Sequence, residues 1–124
     1  MRTSVRMASS QGYHEDEKLL SSRTKDFHRA VVSLQEELEA VDWYQQRADV
    51  AEDPELRAIL EHNRDEEKEH AMMLLEWLRR RDSGFSRMMA LHVGHAGPIV
   101  SETEKAGASR PADDQDRAAE KGKR

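Results

Sequence analysis

A glutamate and a histidine three residues apart, Glu67 and His70, sit inside the stretch HNRDEEKEHAMMLLEW at positions 62–77. That spacing puts both side chains on one face of a helix. A carboxylate beside an imidazole can pair as ions, move protons or ligate a metal. Their position sharpens the choice. Steps of four and three from Leu56 give Leu60, Asn63, Glu67, His70, Leu74 and Trp77, one seam of a packed helix. The seam is apolar at both ends and polar in the middle. A carboxylate taken out of water without a partner is costly, so it pairs, changes its ionisation or binds a cation.

A second helix has to face this one. Its seam runs through Phe27, Val31, Leu34, Leu38, Val41, Gln45 and Ala48. Glu37 lies three after Leu34 and four before Val41, so it borders that seam. Glu36 and Glu39 turn further away and share a face with each other. Tyr44 is two helical turns beyond Glu37 on its side, placed to donate a hydrogen bond. His62, Glu66 and Glu69 share another face of the second helix. His14, His28, His92 and His95 have no convincing partners in the sequence, and Met72, Met73, Met88 and Met89 read as apolar filling.

The elements that carry these residues are legible from punctuation. The three prolines are Pro54, Pro98 and Pro111, which leaves two long proline-free, Ala- and Leu-containing charged stretches. The first helix is predicted to start between Glu17 and Lys25 and to run to about Ala51. Asp53-Pro54 then supplies an N-cap and a preformed first helical position. The second helix is predicted over Pro54 to Asp82. Arg79, Arg80 and Arg81 suit its C-terminal dipole, and Ser83-Gly84 is its expected stop. A short third helix is expected over Phe85 to His92, broken by Gly94, Gly97 and Pro98. The resulting fold class is all-α: an antiparallel two-helix hairpin domain at 17–93, with a disordered N-terminus at 1–16 and an extended or disordered tail at 94–124. Two rods of about 45 Å cannot bury their own seams. The expected remedy is a homodimer closing into a four-helix bundle.

Such a dimer collects two copies each of Glu37, Glu67 and His70. Di-iron carboxylate bundles use that set, one Glu from each of two helices and Glu-x-x-His from each of the others. Oxygen and imidazole donors suit iron or manganese. Two other readings use the same residues: a metal-binding protein without turnover, and a structural helical dimer in which Glu67 and His70 pair to fix register.

Composition removes other classes. The 124 residues include no cysteine, which excludes disulfides, thiolate metal sites and a Cys nucleophile. The net charge is -5, with no basic stripe for phosphates, so nucleic acid is not an expected partner. No apolar run reaches membrane-spanning length and the N-terminus carries no secretion-type apolar core, so the chain reads as cytoplasmic.

The segments RAVVSLQEELEAVDWYQQRADVAEDPEL and ILEHNRDEEKEHAMMLLEWLRRRD, with GPI at 97–99, closely resemble the encapsulated ferritins. These are half-length ferritin-like proteins carried inside bacterial encapsulin shells. The resemblance spans about residues 24–100. It implies a ferroxidase that oxidises iron(II) with dioxygen at a di-iron centre between subunits. The implied ligands are Glu37, Glu67 and His70, with Tyr44 close by. It also implies an annular homodecamer, iron storage within the shell, and localisation inside that nanocompartment. Glu36 and Glu39, with Trp43 beside them, resemble the family's metal-uptake site. His62, Glu66 and Glu69 resemble a peripheral site for other divalent cations. One departure stands out: family members end in a short apolar docking peptide, and SETEKAGASRPADDQDRAAEKGKR shows none.

Overall fold

The two proline-free stretches become the two long helices. The computed structural model describes residues 12–100. Helix α1 is Ser22–Val50, α2 is Pro54–Arg81 and α3 is Ser83–His92, preceded by a single 3-10 turn at Glu17–Leu19. No strand occurs among the described residues.

Each boundary has a local cause. Ser21 caps α1 by accepting a hydrogen bond from the Thr24 amide at 3.1 Å. Asp53 caps α2, with its Oδ1 accepting from the amides of Glu55 (2.8 Å) and Leu56 (3.2 Å). Pro54 follows at the first helical position, where no amide hydrogen is needed. The far end of α2 differs from the expected stop. Ser83 and Gly84 do not terminate it; they open α3. Asp82 makes the break instead. Its amide donates to the Leu78 carbonyl, and its Oδ1 accepts from the Phe85 amide at 2.8 Å. One aspartate thus closes one helix and caps the next, which a Ser-Gly signal read alone conceals.

The chain divides into two units, Met1–Arg87 and Met88–Arg124. In the first, α1 and α2 form an antiparallel hairpin. Arg57 near the turn donates to the Asp49 carbonyl (3.4 Å), and Arg23 at the open end donates to the Arg81 carbonyl (3.0 Å). Among the described residues the buried ones are Ala30 and Ala48 of α1 and Ala71 and Leu78 of α2. Ala71 and Leu78 each lie one residue past the predicted seam positions His70 and Trp77. On α2 the hairpin therefore closes along a line rotated by one residue from the predicted seam, whereas on α1 the buried Ala48 is a predicted seam position. Leu38, Leu56 and Ile59 are left exposed on its flanks, with Met72 and Met73. Three of the four buried residues are alanines, which let two helix axes approach closely. The Phe27 and Phe85 rings sit 6.2 Å apart and anchor the start of α3 on α1.

Of the N-terminal stretch expected to be disordered, residues 1–11 lie outside the described residues. Within residues 12–16, Asp16 caps the 3-10 turn and the Tyr13 ring lies 4.7 Å from that of His28. In the second unit α3 ends at His92, and Gly94 (φ 75°) and Gly97 (φ 101°) take left-handed backbone that a side chain would strain. His92 Nδ1 reaches the Ile99 carbonyl at 3.2 Å, and His95 Nε2 reaches the Ala90 carbonyl. So His28, His92 and His95, expected without partners, each have one. Residues 101–124, most of the expected tail, lie outside the described residues. No helix among the described residues is long and apolar enough to cross a membrane.

Candidate metal centre

Glu37 shares a helix face with the two buried alanines of α1. It lies seven after Ala30 and eleven before Ala48, both close to whole numbers of turns. It therefore stands on the hairpin's contact line rather than at the border of a seam. Glu67 precedes buried Ala71 by one turn and meets it from α2. His70 stands at the edge of that line.

The three side chains converge. One ligand atom from each of Glu37, Glu67 and His70 lies within 4.8 Å of the others. His70 Nδ1 is 3.3 Å from Glu67 Oε2 and 3.5 Å from Glu37 Oε2. The contact with Glu67 is a hydrogen bond. That with Glu37 is within ion-pair reach but out of hydrogen-bond geometry, so Glu37 Oε2 is buried with no hydrogen-bond partner. The carboxylate side chains are only 24% and 23% exposed, and the imidazole 43%.

This is an unusual place to leave two carboxylates. An acceptor shut away from water without a donor is costly, and two like charges held together add repulsion. A divalent cation relieves both. It also competes with a proton for Nδ1, the imidazole nitrogen that faces the carboxylates. The residues present fit iron or manganese: hard oxygen donors, one imidazole and no thiolate.

The other residues singled out from sequence do not gather here. Tyr44 is half-buried under the Arg47 guanidinium, whose carbon is 5.4 Å from the ring centroid. Glu36 and Glu39 are exposed, and neither makes an ion pair with a described residue. Trp43 is exposed beside Gln46 and Arg47, which line a shallow open notch with it. His62 and Glu66 pair at 2.9 Å on the surface, at 70% and 52% exposure. Glu69 is exposed on that side and joins no ion pair among the described residues.

Sequence reasoning missed Arg64. It is only 19% exposed, donates Nη1 to Gln45 Oε1 of α1 at 2.8 Å, and donates Nε to Asp65 Oδ1 at 3.0 Å. The hydrogen bond from Arg64, and then that from Lys68, holds the Asp65 carboxyl below its usual range. A signal existed: Gln45 falls in the apolar seam of the first helix, and a polar group there needs a partner.

The profile of the EncFtn-like family matches residues 12–95, well over half of the chain. The chain belongs to that family of encapsulated ferritin-like proteins. It is 55% identical over 93 residues to the "Encapsulated ferritin-like protein" of Rhodospirillum rubrum. That match covers 75% of this chain and 66%, just under two thirds, of the relative's length. It is 49% identical over 98 residues to a "Ferritin-like protein" of Thermotoga maritima, covering 78% of this chain and 86% of that one. A crystal structure of a Nitrosomonas europaea protein superposes with a TM-score of 0.70 at 54% identity, over 73% of this chain and 99% of its own. Among EncFtn-like chains, then, this one presents two carboxylates and an imidazole on facing helices.

Proposed function

We propose that the protein is a ferroxidase that oxidises iron(II) to iron(III) with dioxygen. The carrying observation is the convergence of Glu37, Glu67 and His70 around a buried, unpartnered Oε2 of Glu37. Iron(II) is the substrate, each ion giving one electron to dioxygen. The carboxylates favour the more highly charged product, which is what makes oxidation downhill there. Bound iron supplies the redox chemistry. This chain's residues hold it and neutralise its charge.

One hairpin carries half of a di-iron ligand set. Its exposed Leu38, Leu56, Ile59, Met72 and Met73 offer an apolar surface to a second copy. A homodimer brings two triads together and completes the set, and the annular homodecamer implied by the family is built from such dimers. The 17–93 hairpin is the ferroxidase domain, and the tail beyond it a tether. Tyr44 serves as a hydrogen-bond donor near the completed centre. Glu36, Glu39 and Trp43 form the uptake route, and exposed Glu36 and Glu39 suit that role by being free to take a cation. His62, Glu66 and Glu69 form the peripheral divalent-cation site. The relatives' names, ferritin-like and encapsulated, support iron storage and detoxification inside a cytoplasmic encapsulin shell.

The hydrogen bond between His70 and Glu67 supports one other reading, a structural pair that fixes helix register. Aerobic iron(II) oxidation, followed by absorbance on wild type and Glu67→Ala side by side, separates them. Rapid oxidation lost in the variant is the expected result. Equal, slow oxidation in both overturns the proposal in favour of the structural pair or of static metal binding.

A further inference from the structure

We infer that Arg64 and Gln45 form a clamp that sets the register of α1 against α2, and that Arg64 is therefore a positioning residue for the metal centre. The inference rests on the metal reading of Glu37, Glu67 and His70. Three of the four buried residues between the helices are alanines. Alanine allows close approach but offers no tall ridge to lock one helix against sliding along the other. A slip of one turn moves a helix by about 5.4 Å, more than the 4.8 Å within which the three ligand atoms lie. Something else has to hold the register in the middle of the hairpin. The Arg64–Gln45 bond is the only side-chain to side-chain hydrogen bond between α1 and α2 among the described residues. It lies one turn before Glu67 on α2, close to the centre.

Its chemistry suits the task. A guanidinium is a planar fork with donors at fixed angles. Nε is held by Asp65 on its own helix, so Nη1 is aimed, not searching, when it meets Gln45. The Asp65 carboxylate also offsets the positive charge, which would otherwise repel a cation bound one turn away.

Cobalt(II), which binds oxygen and imidazole donors and does not turn over, is the probe. The full chain is titrated as wild type, Gln45→Leu, Arg64→Leu, the double variant and Gln45→Glu, following affinity and the visible ligand-field band. Gln45 is exposed, so Gln45→Leu tests the clamp even where the Arg64 variant folds poorly. The expected result is a loss of about 10-fold in affinity for either single variant, the scale of outer-shell support at metal sites. The double variant loses no more than a single one, because both remove one interaction. The band changes shape, and Gln45→Glu, which keeps the acceptor, stays close to wild type. Variants that lower the melting temperature but keep wild-type cobalt affinity and band overturn the clamp and leave the metal centre standing. Wild type that binds no cobalt overturns both.

Discussion

His62 and Glu66 make a shorter contact than His70 and Glu67, 2.9 Å against 3.3 Å, on the same helix and with the same two residue types. Distance alone would rank the first pair as the better site. Burial reverses the order. His62 and Glu66 are mostly exposed, so water screens their attraction and solvates each partner, and such a pair contributes little. His70 and Glu67 are joined by a third group from the opposite helix, whose inner oxygen has no donor. The lesson is that a motif becomes a site when a second element removes its solvent and adds a ligand.

The strongest way to break that comparison is to remove a convergent ligand. Glu37→Ala, Glu67→Ala and His70→Ala should each lower the aerobic iron(II) oxidation rate by about 100-fold or more, since even outer-shell partners of ligands cost up to about that much. Stopped-flow absorbance is the check, with circular dichroism showing the helices intact. A sharper test asks whether the convergence costs stability without metal. Glu37→Leu fills the contact line and removes the orphaned carboxylate. It should raise the metal-free protein's stability by about 1 kcal/mol while abolishing cobalt binding. Thermal melts in a chelator decide it, and a variant less stable than wild type would show that Glu37 is already satisfied.

The surface pair should respond weakly to the same treatment. His62→Ala or Glu66→Ala should change stability by no more than about 0.5 kcal/mol and leave the oxidation rate within about twofold. A large loss of rate would move the peripheral cluster into the reaction.

The smallest expected effect lies at Glu76, the third kind of glutamate on α2. Hydrogen bonds from Arg79, and then from Arg80, lower its carboxyl from the usual 4.5 to about 2. A carboxyl depressed in the folded state stabilises it above the ordinary value, and that contribution fades as pH falls from about 4.5 towards 2. Because the group is solvent-exposed the gain is slight. Glu76→Gln should lower the melting temperature slightly at neutral pH and not below about pH 2, so the acid limb flattens in melts recorded across pH; a variant that keeps the wild-type limb would contradict the assignment.

Much of this was legible before any coordinates. Spacing alone put Glu67 and His70 on one face, and Asp53-Pro54 fixed where the chain turns, because caps and prolines act within a few residues. The helices fall within a residue or two of their expected ends, except where Asp82 took over from Ser83-Gly84. Which apolar line closes the hairpin was not legible. Heptad spacing favours the larger side chains at Leu38 and Leu56, yet of the predicted seam positions only Ala48 is buried, and the lone pair of helices closes along it with Ala30, Ala71 and Leu78, where axes approach most closely.

What the sequence by itself determined is therefore local: the helices, their caps, the turn, and the Glu-x-x-His face, each set by residues a few positions apart. What only the tertiary structure decided is long-range. It brought Glu37 across from α1 onto the contact line, left its Oε2 without a donor, and turned Arg64 from a solvated charge into a cross-helix bond to Gln45. Those facts depend on the rotation and register of one helix against another. Side-chain volume along the whole interface sets both, and no short window of residues contains that information.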